Sequence, residues 1–325
     1  MQKKPLSVIL IGLGYLGKIH LQKLLFFSKQ KKISVVAIVE PNQEAWKEVK
    51  KMTEGHFSIP CYASLEEAFK EKEKTVKGFD IEAAVIVSPT SQHFKDLEFL
   101  QKYFIPIFCE KPLCATLEQT QKILNSWPEN IPLFLGHLER YREIWQSLDL
   151  ALVESLKSGG GLLKIERSGP VSHRANDVSV VVDLCFHDLD LLCFLLTPYS
   201  LVLESVRFQK CYSAHPDFCE IKFSCPEISL EIEIVSHRLN REGEKKRQWF
   251  FCGPEKVFFL DLVENSYKQT YPIQKYCQFS PQEDLILKEQ ELFFKAIEEK
   301  ALSPFNTLVS IKKTADLIFE ILKKG

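Results

Sequence analysis

The sequence predicts an α/β protein in two parts: a parallel sheet wrapped by helices over residues 1–133, then an α+β domain with a mostly antiparallel sheet over residues 134–325. Three observations predict it. Short apolar runs alternate with helical patterns through the first third, which is how strands read when crossover helices cover both faces of their sheet. Pro128, Pro132 and Gly136 then break the pattern, as a connection between domains does. From Leu201 to Tyr271 strand-like runs follow one another with no helical pattern between them, the sign of neighbours joined by short turns.

In order along the chain, strands are predicted over Leu6–Ile11, Ser34–Val39, Ala83–Val87, Ile105–Cys109 and Leu133–Leu135. Helices between them are predicted over Tyr15–Phe27, Gln43–Met52, Ser91–Lys102 and Leu117–Ser126. Beyond the boundary, a helix over Glu143–Lys157 is stopped by Gly159-Gly160-Gly161, and an apolar helix covers Val181–Leu196. The later strand-like runs include Ile228–Val235, Gln248–Cys252 and Val257–Leu262, and two amphipathic helices, Gln282–Lys300 and Leu308–Lys323, close the chain.

A chain of 325 residues can bury two separate cores. Its 42 Lys and Arg nearly cancel 43 Asp and Glu, and no basic block stands out, so nucleic acid and anionic membranes are not expected partners. No stretch approaches the roughly 20 apolar residues of a membrane span. The apolar run at the start breaks at Gly12 and has no small-residue cleavage site, so it reads as a first strand rather than a leader. The ten cysteines form no C-x-x-C pair and sit in apolar stretches such as Ile107-Phe108-Cys109. They read as small buried hydrophobes in a reducing, cytoplasmic setting, and no metal is expected.

The first chemical signal is Gly12-Leu13-Gly14-Tyr15-Leu16-Gly17, after a buried strand and before a helix. There Gly12 permits the tight turn, Gly14 lets backbone approach a pyrophosphate, and Gly17 allows close helix–strand packing. The helix start offers free N–H groups and the positive end of its dipole. Glu40 ends the next strand, near the roughly 20-residue spacing of a ribose-binding acid. Its carboxylate accepts from the 2′-hydroxyl and repels a 2′-phosphate, and Pro41-Asn42 brings no cation to offset that. NAD is therefore expected rather than NADP, in a Rossmann domain; the plain alternative is an ordinary βα turn beside a solvated glutamate.

Glu110-Lys111-Pro112 directly follows a predicted strand. Ligands of open parallel sheets bind beyond the carboxyl ends of the strands, so Lys111 is expected in that crevice, where a lysine can hydrogen-bond a reacting hydroxyl. The alternative is a surface lysine in a loop. The second element is the apolar helix that carries Asp183, His187 and Asp190, which helical spacing brings to one stripe. Burying three ionisable groups without partners costs several kcal/mol, so the stripe should face a polar cleft or a paired network. An imidazole held by a carboxylate suits a base for an alcohol proton; the alternatives are a structural Asp–His pair and, as a poor one, a metal site of Asp183, Cys185 and His187, since helical spacing points Cys185 to another face.

With Ser88-Pro89-Thr90 and His93 added to these segments, the chain resembles the glucose–fructose oxidoreductase/inositol dehydrogenase/MocA family over nearly its whole length. The resemblance implies a second domain with a large open sheet that often forms an oligomer interface, hence a homo-oligomer, dimer or tetramer. It implies that Ser88, Pro89, Thr90, His93 and Glu110 lie along the dinucleotide with the glycine turn. It further implies that Lys111 and His187 contact the hydroxyl being oxidised, with Asp183 orienting them. Within the family, Gly136–Tyr141, Arg167–Pro170, Arg174 and Asp183–Asp190 are similar to nucleotide-sugar 3-dehydrogenases, which oxidise the 3-hydroxyl of a UDP-linked N-acetylhexosamine before amination. On that likeness Arg140, Arg167 and Arg174 are candidate donors to the sugar or phosphates, the alternative being ion pairs with the chain's own carboxylates. The chain departs from the pattern at Arg142-Glu143, where Asn-Pro is usual, and at Ser179, where glycine is common. The other expectations are a free-sugar or cyclitol dehydrogenase, a hydrolase using NAD transiently, or a dinucleotide-sensing protein without catalysis.

Overall fold

The structure, a computed structural model, describes residues 4–53, 58–74, 80–147, 151–171, 178–280, 283–300 and 307–325. The chain divides into two compact units, one of Met1–Gly136 with Ile286–Lys312, the other of His137–Leu285 with Lys313–Gly325.

In the first unit strand β1 (Leu6–Ile11) leads to helix α1 (Tyr15–Lys29) and strand β2 (Ile33–Val39), then α2 (Trp46–Met52), β3 (Cys61–Tyr62) and α3 (Leu65–Lys74). The second half repeats the alternation: β4 (Ala83–Ile86), α4 (Thr90–Leu100), β5 (Ile107–Cys109), α5 (Leu117–Ser126) and β6 (Leu133–Leu135). The strands pair in parallel in the order β3-β2-β1-β4-β5-β6. Strand order therefore reverses between β1 and β4, which opens a crevice beyond their carboxyl ends. The pair β3–α3 has no counterpart in the expected elements. Its strand is two residues long, too short for an alternation to show, and α3 is mostly charged around a buried Leu65, Ala68 and Phe69.

The second unit begins with α6 (Glu143–Ser147) and α7 (Ala151–Lys157), followed by β7 (Gly161–Pro170). A wide, π-helical turn over Val181–Cys185 precedes α8 (Phe186–Leu195), where one continuous helix is expected from the sequence. Strands β8 (Val202–Gln209), β9 (Phe218–Cys225), β10 (Leu230–Asn240), β11 (Lys246–Cys252), β12 (Val257–Asp261), β13 (Ser266–Tyr271) and β14 (Lys275–Gln278) complete it. The eight-stranded sheet runs β14-β13-β12-β11-β7-β10-β9-β8, antiparallel except for β7 beside β10. Alternation sets its faces: Leu230, Ile232 and Ile234 are buried while Glu231 points outward. Phe250 and Phe259, directly paired across β11 and β12, are exposed on the other face.

Helices α9 (Leu285–Glu299) and α10 (Leu308–Lys324) end the chain. The sequence places α9 in the second domain, but its apolar face belongs to the first unit. Phe293 packs its ring 6.0 Å from Phe108 and 5.3 Å from Phe134, and Phe294 lies 5.4 Å from Phe27. A return of this kind is set by tertiary packing and leaves no mark in local periodicity.

Candidate active site

The glycine turn sits at the reversal of strand order. Gly12 has φ +95°, and a Cβ there would lie 2.6 Å from Ser88 N and from the Val87 carbonyl, so the turn after β1 presses on the turn after β4. A Cβ on Gly17 would come within 2.3 Å of Gly12 O, which is why α1 can start so close to β1. Gly14 differs, since a Cβ there would meet no atom within 4 Å. Packing does not demand glycine at that position. Tyr15 is exposed and Leu16 half-buried.

Glu40 follows β2 and reaches back to the turn. Its Oε2 accepts from Leu13 N at 2.7 Å and its Oε1 from Asn42 N at 2.9 Å, which leaves a lone pair on each oxygen. Ser88 Oγ donates to Asp96 at 2.6 Å, while Pro89 is exposed and Thr90 half-buried at the start of α4. His93, only 1% exposed, bridges two turns with its ring: Nε2 lies 2.8 Å from Ser88 O and Nδ1 2.9 Å from Pro112 O. The buried Glu110 lies 2.9 Å from His20 Nε2 and accepts from Lys111 N at 3.2 Å. Lys111 itself is half-buried beyond β5.

In the second unit the expected acidic stripe divides. Asp183 and His187 are half-buried, whereas Asp190 is 1% exposed and paired with Arg140 through two bonds. Thr314 donates to the same carboxylate at 2.9 Å. Arg167, 2% exposed, pairs with Asp188 and with Glu139 at 3.4 Å, and Trp249 donates to Asp188 at 2.9 Å. Both arginines thus stand in internal ion pairs, the alternative to the sugar or phosphate contact expected of them. Their guanidinium forks meet the chain's own carboxylates inside the unit. Arg174 lies outside the described residues.

The two departures from the nucleotide-sugar pattern have local roles. Arg142 is buried against Glu139, and Ser179 Oγ accepts from Val181 N at 3.2 Å where the π-helical turn begins. Burial alone would raise the Glu139 carboxyl, but Arg167 and Arg142 outweigh it and bring it down to about 2. His137, fully buried, lies 3.1 Å from Asp190 without making a hydrogen bond; burial and then Arg140 bring its ring down to about 3, so it stays neutral.

Sequence reasoning missed Arg238. Its Nη2 donates to Asp217 at 3.0 Å and its Nη1 lies 3.9 Å from Asp183. The signal was available: Arg238 falls on the buried parity of β10 with Ile232, Ile234 and Ser236, where an arginine has to be paired.

A parallel 3-2-1-4-5-6 sheet with a glycine turn at its switch point defines a dinucleotide-binding Rossmann domain. Residues 6–131 match the profile of the GFO_IDH_MocA oxidoreductase family, described as an NAD-binding Rossmann fold. A UDP-N-acetylglucosamine 3-dehydrogenase of Acidithiobacillus ferrooxidans is 27% identical over 186 residues, 57% of this chain and 52% of the relative. A myo-inositol 2-dehydrogenase of Thermotoga maritima is 22% identical over 191 residues, 57% of this chain and 53% of the relative. The chain thus spans about half the length of these curated relatives. The solved UDP-N-acetylglucosamine 3-dehydrogenase GnnA from Acidithiobacillus ferrooxidans superposes with a TM-score of 0.80 at 22% identity, over 98% of this chain and 96% of that one. That likeness shows the fold of both units. Among the described residues, no helix is long and apolar enough to cross a membrane.

Proposed function

We propose that the chain is an NAD-dependent dehydrogenase acting on a sugar hydroxyl, with the 3-hydroxyl of a UDP-linked N-acetylhexosamine as its target and a 3-keto nucleotide sugar as its product. The reading rests on the glycine turn held against Ser88 at the switch point, with Glu40 bonded to Leu13 N inside it. These residues fit the dinucleotide on their own geometry: Gly14 is glycine with no packing reason, and the Glu40 oxygens keep lone pairs for ribose hydroxyls.

Bound NAD supplies the hydride acceptor of such a reaction. The chain has to hold the hydroxyl and take its proton, and Lys111 and His187 are the groups proposed for that. Asp183 is proposed to orient them, and Arg238, 3.9 Å away, supports that carboxylate. Arg140 and Arg167 have no part in the proposal, because their donors serve internal carboxylates; Arg174 keeps its proposed contact with the substrate.

The relative named for UDP-N-acetylglucosamine supports the nucleotide-sugar substrate, and the relative named for myo-inositol favours a second reading, a cyclitol or free sugar. We further propose a homo-oligomer, dimer or tetramer, joined through the sheet face that exposes Phe250 and Phe259. The cysteines are free thiols, six of them buried and Cys211 and Cys252 exposed, which suits a reducing compartment. Following NADH absorbance with UDP-sugars, free sugars and cyclitols tests the reading. NADH formation with UDP-N-acetylglucosamine supports the first substrate and formation with inositol alone the second; no reduction with any of them sinks the dehydrogenase assignment.

A further inference from the structure

Behind the turn that carries Lys111, the first unit buries two carboxylic groups side by side. Glu110 follows β5 and Glu289 lies on α9; with His20 of α1, each offers a side-chain atom within 4.8 Å of the others'. His20, Glu289 and Gln290 are completely buried and Glu110 is 7% exposed. The bonds in this cluster have a direction. Gln290 Nε2, which can only donate, lies 2.8 Å from His20 Nδ1, so the ring carries its hydrogen on Nε2 and donates to Glu110 at 2.9 Å. Glu110 also accepts from Lys111 N at 3.2 Å. Two donors thus serve Glu110.

Glu289 has none: neither of its oxygens has a hydrogen-bond partner, and Gln290 Oε1 beside it has none either. A bare carboxylate without a donor, beside a second carboxyl group, is far too costly in such a place. From these contacts we propose that Glu289 carries a proton at neutral pH, so that it and Glu110 form a singly charged buried acid dyad behind the Glu110–Lys111 turn, which His20 braces through Glu110. Burial first and Glu110 second hold the Glu289 carboxyl well above the ordinary carboxylate range. His20 from α1 and Glu110 from the end of β5 are the titratable groups that face it, and Gln290 is its polar neighbour on α9. Gly136 leaves the room, since a Cβ there would lie 2.8 Å from Glu110 Oε2. The dyad stands on the geometry of the first unit and does not depend on the dehydrogenase reading.

The competing occupant is a divalent cation held by the same three residues. It is disfavoured because both ring nitrogens of His20 already have partners. Difference infrared spectra of the full chain and Glu289→Gln at neutral pH separate the two. The dyad predicts a carboxylic-acid C=O band in the wild type that disappears in the variant and survives dialysis against EDTA. It also predicts that the unfolding constant of the wild type, relative to Glu289→Gln, rises toward tenfold per pH unit as pH climbs above the ordinary glutamate range. If Glu289→Gln does not fold, Glu110→Gln serves instead: removing the neighbouring charge should make the band titrate away at lower pH than in the wild type. The absence of any protonated-carboxyl band, or stoichiometric zinc or manganese whose removal by EDTA unfolds the wild type, overturns the proposal.

Discussion

At Glu40 one carboxylate closes two backbone N–H groups, and on the proposed reading it also receives the ribose hydroxyls. Removing it should therefore show in two measurements. Glu40→Ala is expected to lose about 1–2 kcal/mol in urea denaturation, because the buried Leu13 N–H is left without an acceptor. In calorimetric titration it should bind NAD at least about tenfold more weakly and discriminate less against NADP, which the lost carboxylate no longer repels. A loss of stability with unchanged nucleotide selectivity would leave Glu40 a turn-forming residue only. Lys111 is the complementary case, since its backbone N–H serves Glu110 whatever the side chain is. Lys111→Ala should lower turnover roughly 100-fold or more with NAD affinity little changed. Near-normal turnover would remove lysine from the mechanism.

The glycine turn allows folding and binding to be tested separately within one element. Gly17→Ala puts a methyl 2.3 Å from Gly12 O and must push α1 off β1, so both thermal stability and NAD binding should fall. Gly14→Ala meets no protein atom, and melting should stay within about 1 kcal/mol of the wild type, near the ordinary Gly–Ala difference. Its NAD affinity should nevertheless drop by about tenfold or more, because the methyl occupies the space through which backbone approaches the pyrophosphate. Equal NAD binding by Gly14→Ala and the wild type would contradict that role. This turn was legible because its demands are local: a strand, three glycines, a helix, an acid after the next strand. The β3–α3 pair and the π-helical turn before α8 were not, since neither leaves a periodic signal. The buried ion pairs of Arg140 and Arg167 depend on which carboxylate a strand or helix places opposite, so their residues were visible and their partners were not.

At the scale of the whole molecule, the buried acids make stability depend on pH in opposite directions. Glu139 is held down to about 2, so its contribution is present above the ordinary glutamate range near 4.5 and is lost as pH falls toward 2. The difference amounts to about 3 kcal/mol. His137, brought down to about 3 by burial and Arg140, adds a loss that begins as pH drops below about 6.5. Glu289 is held up instead, so its contribution is present at low pH and lost as pH rises. Denaturation followed across pH should show Glu139→Gln flattening the acid limb and Glu289→Gln flattening the other. α9 ties the first unit to residues far along the chain: Phe293→Ala should cost about 3–5 kcal/mol in chemical denaturation, and hydrogen exchange in β5 and β6 should speed up. That return was illegible in the sequence, where α9 is one amphipathic helix among several.

The central question is whether the turn at the switch point holds NAD. Calorimetric titration of the full chain with NAD and with NADP, at one salt concentration, answers it. Saturable binding of NAD, at least about tenfold tighter than NADP, is the result predicted from Glu40 and the glycine turn. No binding of either nucleotide, or a tenfold preference for NADP, would contradict it.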